Sequence, residues 1–474
     1  MNDWRNIKSS LKILPSVERV LEDERVSETI NVNSRNGITR ITRDTIEYYR
    51  NLVLSGEDLG DEAGILSRIR DEVARKVELT GRTSQRKVIN ATGVVLHTNL
   101  GRAPLGDCVT ESLLRAASGY IDLEVDLETG ERTHRERRVI ELLELITGAE
   151  SALVVNNTAA ALLLAVNTFA GEGTVAVSRG ELVEIGGSFR LPEILERSAA
   201  RVLEIGTTNR TDLKDYERAV EDGASLILKV HTSNYRIVGY TDDVPLGRLA
   251  ELGKAKDVPV MYDQGSGILF PLGKEGISGE ADIGSLLSTG VDIMTFSGDK
   301  VLGGPQAGII IGRRRYIEQM KKNHLSRALR VDKLTLACLE AVLVRYWRGE
   351  TAMIPALHMI MTTRDEIAER AESFSAALRE RTGETVEIEV VEGESSIGGG
   401  SFPLDPLPTA LVEIRIGKSR ASRLAGSMRG MDPAVFVRIK EESLYLDMRT
   451  VAEDEEQILL DSLEEGINRF SGKE

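Results

Sequence analysis

Phe296-Ser297-Gly298-Asp299-Lys300-Val301-Leu302-Gly303-Gly304-Pro305-Gln306-Ala307-Gly308 leads from an apolar strand end into a glycine-rich loop carrying one lysine. The residues just before it, Val291-Asp292-Ile293-Met294-Thr295-Phe296, read as a short buried strand. The glycines after Lys300 let a backbone pass close to a bound ligand where a Cβ would clash. A lysine at such a strand end is partly desolvated, which lowers its pKa and frees its lone pair to form a Schiff base. A lone lysine beside glycines more often caps a strand at the surface. The assignment of Lys300 therefore rests on its company.

Thirty-seven residues earlier a second apolar strand, Val258-Pro259-Val260-Met261-Tyr262, ends in Asp263-Gln264-Gly265-Ser266-Gly267. An acid there needs a cation beside it. Strand-end aspartate followed by strand-end lysine is the order expected of an enzyme that holds pyridoxal phosphate: the lysine takes the aldehyde, and the aspartate keeps the ring nitrogen protonated so that the ring withdraws electrons. Neither residue is specific by itself.

Outward from this pair, short apolar strands alternate with helical stretches from about residue 150: Ala152–Val155, Thr174–Val177, Val202–Ile205 and Leu226–Val230. That alternation predicts a largely parallel sheet with helices on both faces, binding its ligand at the carboxyl ends of the strands. Asn157, Thr158 and Ala159 follow the first of these strands and open an alanine-rich helix whose free N–H groups suit a phosphate, although Asn and Thr also make ordinary caps. Ser178–Glu181, Gly206–Arg210 and His231–Arg236 follow other strands, so polar residues converge on one edge. Ser297 is placed to reach the phosphate, and His231 to stack on or hydrogen-bond the cofactor or to serve the fold. Upstream, Arg86–Leu105 mixes glycines with Asn90, Thr92, His97, Asn99 and Arg102 and reads as site-lining backbone, with His97 more plainly structural. Downstream, Arg327 and Arg330 lie three apart in the most basic stretch, where guanidinium groups could clamp an anion.

A chain of 474 residues with 41% hydrophobic residues is globular and long enough for several domains. A formal net charge of −15 argues against a polybasic nucleic-acid binder, though residues 1–86 are balanced with 15 basic and 15 acidic side chains. Cys108 and Cys338 supply neither a disulfide framework nor metal-ligand spacing, and no signal or membrane-length apolar run stands out. The expectation is a cytoplasmic protein without metal or membrane. Three domains are predicted: a helical unit at 1–86, a large domain at 87–345 and a small α/β domain at 346–474. In the first, Pro15 opens a helix, 31–37 breaks two helices, and Ile65, Ile69, Val73 and Val77 form a stripe. In the last, Val435–Met448 reads as one half-buried strand.

Arg86–Leu105, Ser178–Pro192, Lys229–Gly239 and Ser297–Gly308 together resemble bacterial selenocysteine synthases, the L-seryl-tRNA(Sec) selenium transferases, and the likeness covers nearly the whole chain. It implies a fold-type-I pyridoxal phosphate enzyme, α/β with a mainly parallel seven-stranded sheet, a smaller C-terminal α/β domain and an N-terminal helical domain that binds tRNA. The implied reaction converts seryl-tRNA(Sec) to selenocysteinyl-tRNA(Sec) by dehydration to aminoacrylyl-tRNA and addition of selenium from selenophosphate. Lys300 would hold the cofactor and remove the α-proton, with Asp299 assisting orientation or proton transfer. Asp263, Asn157, Thr158, Ala159, Ser297 and His231 would bind the cofactor, and Arg102, Arg327 and Arg330 the selenophosphate. The implied assembly is a homo-oligomer of dimers, a homodecameric ring. Two other readings stand beside this one: a related pyridoxal phosphate lyase acting on a small phosphorylated amino compound, and a tRNA-binding scaffold on an inert cofactor fold.

Overall fold

The computed structural model of the chain describes residues 11–24, 26–27, 34–81, 83–185, 189–232, 234–235, 237–272, 280–400, 402 and 406–471. It divides into two compact units, residues 1–87 and 88–474. In the first, Ile65, Ile69, Val73 and Val77 are buried along the helix Glu62–Gly81, and share a core with Ile38, Ile46 and Val53 of the helix Arg35–Leu54. Spacing of four keeps one face of each helix apolar, so the two faces bury each other. The break predicted at 31–37 is corrected at its end. Ser34 caps the helix by accepting the Gly37 N–H at 3.4 Å, so Arg35, Asn36 and Gly37 form the first turn, where a glycine costs little; 31–33 lie outside the described residues. Pro15 likewise stands before the cap, Ser16, of the short helix Val17–Leu21.

The second unit carries all the strands of the described residues: β1 (Val88–Ala91), β2 (Val94–Leu96), β3 (Ser151–Val155), β4 (Thr174–Ser178), β5 (Glu184–Ile185), β6 (Phe189–Arg190), β7 (Arg201–Ile205), β8 (Leu226–Val230), β9 (Val260–Gly265), β10 (Ile293–Ser297), β11 (Gly308–Gly312), β12 (Glu387–Gly398), β13 (Leu407–Arg415), β14 (Ala434–Lys440) and β15 (Ser443–Asp447). Seven of them form a sheet in the order β3-β11-β10-β9-β8-β4-β7, in which only β11 runs antiparallel to its neighbours. Successive residues feed opposite cores: Val154, Ala176, Ile227 and Phe296 enter one, and Leu153, Val175, Leu228 and Ile293 the other. A sheet buried on both faces reads as continuous apolar runs, which is why its strands were visible in the sequence.

The second sheet, β1-β14-β15-β13-β12-β2, crosses the boundary predicted at 345/346, because β1 pairs with β14 and β2 with β12. The strand expected over Val435–Met448 is two, β14 and β15, paired antiparallel around Glu441 and Glu442. The turn carries no Gly, Asn or Asp, and Glu441 takes φ 54°; without those residues it left no sequence signal. No helix of the described residues is long and apolar enough to cross a membrane.

Gly308 joins the large sheet to the site. A Cβ on it would lie 2.1 Å from the Asn157 carbonyl oxygen and 2.3 Å from its carbon. Backbone cannot yield as a side-chain tip does, so Gly308→Ala should displace the start of the helix Thr158–Ala170 and lower stability by about 1–3 kcal/mol. Urea unfolding measures this; an unchanged midpoint would mean that the strand and turn are not packed so closely.

Candidate active site

Lys300 lies in the turn after β10, only 5% exposed. The Val301 N–H donates to the Ser266 carbonyl at 3.0 Å and the Gly303 N–H to the Lys300 carbonyl at 2.9 Å, which fixes the loop against the end of β9. Burial lowers the Lys300 pKa; Asp263 opposes that and Arg102 adds to it. Asp263 is 8% exposed, at the end of the neighbouring parallel strand. Burial pushes its carboxyl up to about 6, against the Thr295 hydroxyl and the charges of Lys300 and His231. Thr295 Oγ1 donates to Asp263 Oδ1 at 2.7 Å, directly across the register. Asp263 and Lys300 are thus an acid and an amine that each resist ionisation through burial and each favour it in the other.

The phosphate side is built separately. Asn157 caps the helix Thr158–Ala170 by accepting the Ala160 N–H at 2.9 Å, and its carbonyl accepts the Ala161 N–H. The N–H groups of Thr158 and Ala159 have no acceptor among the described residues, as helix geometry dictates for the first turn. The Thr158 and Ser297 hydroxyls stand 2.5 Å apart. Hydroxyls and free helix N–H groups next to a buried lysine and acid are a donor set that fits pyridoxal phosphate: an anion cradle, an amine for the aldehyde and a carboxylate for the ring nitrogen. Gln264 adds a buried side-chain nitrogen, Nε2, without a partner among the described residues.

Arg102, in the left-handed region at φ 62°, donates from Nη1 to Asp299 Oδ2 at 2.7 Å, so the early motif does reach the lysine loop. Arg327 and Arg330 line a cleft of about 650 Å³ with Arg132, Arg135 and Lys321; Lys300 and Arg102 are not among its lining residues. The two parts touch through backbone: the Asn156 N–H donates to the Leu329 carbonyl at 3.0 Å, and Val155 bridges Arg330. Arg132 and Arg135 carried no sequence expectation, although the run Arg132–Arg138 is conspicuously basic. The converging polar residues Ser178, Glu181, Thr208 and His231 do share a cavity, of about 340 Å³; Ser233 and Arg236 lie outside the described residues.

Asn90 and Thr92, candidates for a ligand, are spent on the turn between β1 and β2. Asn90 Nδ2 donates to the Val94 carbonyl at 3.0 Å and Thr92 Oγ1 to Asn90 Oδ1 at 2.6 Å. His97 Nδ1 is buried without a partner among the described residues. Thr295 and Glu280 went unread. Thr295 had a signal, because alternation along β10 puts it on the face of Ser297.

The Asp263 shift sets a pH window. Its folded pKa, about 6, lies above the ordinary 3.8, so the stability due to the protonated form is complete below pH 4 and is lost as pH rises through 6. In the cofactor-free chain, Asp263→Asn should therefore unfold at higher urea than the parent at pH 8, by up to about 3 kcal/mol at about 1.4 kcal/mol per pKa unit. The gap should close towards pH 4. A less stable variant at pH 8 would mean that pairing with Lys300 and His231 outweighs burial.

The sequence pattern of the family described as SelA: L-seryl-tRNA selenium transferase matches residues 88–452. The L-seryl-tRNA(Sec) selenium transferase of Alkaliphilus metalliredigens is 43% identical over 457 residues, 96% of this chain and 98% of that one. That of Nitratidesulfovibrio vulgaris is 45% identical over 413 residues, 87% and 88% of the two chains. Among solved structures, D-glucosaminate-6-phosphate ammonia-lyase superposes with a TM-score of 0.57 at 21% identity, over 81% of this chain and 96% of its own, a likeness of fold. With the fold of a type-I pyridoxal phosphate enzyme and a family pattern spanning both sheets, the chain belongs to the L-seryl-tRNA selenium transferase family.

Proposed function

We propose that this chain converts seryl-tRNA(Sec) to selenocysteinyl-tRNA(Sec), with pyridoxal phosphate as cofactor and selenophosphate as the selenium donor. The observation that carries the reading is identity above 40% to transferases of that name over nearly the full length of both chains, with Lys300 and Asp263 both buried at the ends of adjacent parallel strands. Such coverage favours the transferase over the lyase, and intact acid and amine favour an enzyme over an inert scaffold.

When bound, pyridoxal phosphate supplies an aldehyde for an amine and a ring that withdraws electrons from the adjoining carbon. Asp263 holds the proton on the ring nitrogen. Thr158, Ser297, Asn157 and Ala159 would hold the phosphate, and His231 would help to bind the cofactor. Lys300, whose neutral form is favoured by burial, holds the cofactor at rest and then takes the α-proton of the seryl group. Asp299 orients Arg102, which binds the donor anion with Arg327 and Arg330. Residues 1–86 serve as the tRNA-binding domain, 87–345 apart from β1 and β2 as the cofactor domain, and 346–474 with those two strands as the small domain, and the enzyme works in the cytoplasm as a homo-oligomer of dimers, a decameric ring. An acidic chain can bind tRNA if only a local patch is basic.

The test is one reaction: protein, pyridoxal phosphate, serine-charged selenocysteine tRNA and selenophosphate, with the amino acid then released and identified. Selenocysteine is expected from the parent and none from Lys300→Ala; serine returned unchanged by a cofactor-loaded parent would overturn the reading. Borohydride should fix a pyridoxyl group on the Lys300 peptide and on no other.

Arg327→Ala and Arg330→Ala should each raise the KM for selenophosphate about 10- to 100-fold, as loss of a charge-assisted hydrogen bond does, while leaving pyridoxal phosphate uptake intact. Initial rates against donor concentration check this. Unchanged KM in both would remove the cleft from the donor site.

A further inference from the structure

Glu280 has no part in the reading above, yet its carboxylate is held by two of the residues around the site. Its side chain is 9% exposed. Oε1 stands 3.0 Å from His231 Nε2, and Oε2 accepts the Ser266 hydroxyl at 2.6 Å. Both partners belong to the cofactor frame. Ser266, fully buried, follows β9, and its carbonyl takes the Val301 N–H next to Lys300. His231 follows β8, and its backbone N–H donates to the Asp263 carbonyl at 2.9 Å. One carboxylate therefore ties the ends of two adjacent strands, those carrying His231 and Asp263.

We infer that Glu280 is a positioning residue that acts through His231: it holds the imidazole with Nε2 as the donor to its carboxylate, beside Asp263, at the cofactor face of the site. A buried carboxylate at hydrogen-bond distance accepts from Nε2 and so fixes the tautomer and the orientation of the ring. Nδ1 makes no hydrogen bond among the described residues, which leaves it for whatever occupies the site. The placement matters because burial drives Asp263 towards its neutral form, and the Thr295 hydroxyl, Lys300 and His231 oppose this. Lys300 is also the residue that must give up its proton to react. The other ionisable groups nearby are Tyr262 on β9 and Lys229 on β8, the latter held by Glu181 and Asp243. Lys229 already has two acidic partners, so it cannot replace His231.

The inference rests on the cofactor reading proposed above, and its test reads the cofactor directly. Glu280→Gln, Glu280→Asp and Ser266→Ala would be compared with the parent for pyridoxal phosphate affinity, for the pH titration of the bound cofactor's absorbance, and for kcat and KM. In Glu280→Gln the imidazole loses the carboxylate that fixes its place beside Asp263, so Asp263 loses part of the support His231 gives its charged form. The acid limb of the absorbance titration should then move to higher pH, the cofactor should bind at least tenfold more weakly, and kcat should fall at least tenfold with KM for seryl-tRNA within twofold. Glu280→Asp should recover part of each effect. Ser266→Ala should move each in the same direction by less, and it keeps the test decisive if Glu280→Gln folds poorly. Variants that melt with the parent and keep its affinity and titration would overturn the inference. A parent that takes up no pyridoxal phosphate would instead overturn the functional reading.

Discussion

The buried pair of Asp263 and Lys300 is the constraint to which the rest of the site answers. Each group alone resists ionisation in its surroundings, and each makes the other's charge tolerable. A protein keeps such a pair only where the backbone on both sides is fixed, because small separations change the balance steeply. Here two adjacent parallel strands provide that rigidity. Thr295 holds Asp263 across the register, and the Ser266 carbonyl holds the Lys300 loop. Gly308 lets β11 pass against the Asn157 carbonyl, so the phosphate cradle is fastened to the same sheet.

The second sheet reaches this pair through one segment. Asn90 and Thr92 shape the turn between β1 and β2, and Gly93 at φ 68° has no room for a Cβ, which would lie 2.0 Å from Asp447 Oδ2. Asp447 is fully buried and satisfied by Ser395, Thr409 and Arg438. That network anchors the turn to β12, β13, β14 and β15, and ten residues past Ala91–Gly93 the chain delivers Arg102 to Asp299. A buried carboxylate with every oxygen engaged is costly to disturb, so the placement of Arg102 is tied to the integrity of the C-terminal sheet.

What the sequence disclosed follows from the same physics. Apolar runs fed to two cores announce the large sheet, and strand-end Asp263 and Lys300 announce the chemistry, because both patterns are local. Long-range facts were hidden. Nothing in Val88–Leu96 says that it pairs with strands some 300 residues later, and Asn90 and Thr92 looked like ligand groups because a side chain that builds a turn has the same composition as one that binds. The hairpin at Glu441-Glu442 lacks turn residues. Glu280 sits in no strand or helix and meets its partners, Ser266 and His231, only in the fold. Arg327 and Arg330 were legible as a pair, whereas their company, Arg132 and Arg135, enters the cleft from another part of the chain.

The arrangement separates two anion problems that one chain must solve. Hydroxyls and helix N–H groups at Thr158 and Ser297 offer an anion dipoles and no full charge, which would leave the charge balance of Lys300 undisturbed. Guanidinium groups at Arg327 and Arg330 line a cleft that Lys300 does not, so full positive charges are gathered without a place in the lysine's immediate shell. Arg102 is the exception, because its charge lowers the Lys300 pKa, and Asp299 neutralises it at 2.7 Å. That ion pair offsets the charge of an arginine whose field reaches the lysine. An anion drawing Arg102 away from Asp299 would free an acid beside Lys300 and strengthen the lysine as a base. Occupancy of the arginine and basicity of the lysine are therefore linked through one carboxylate.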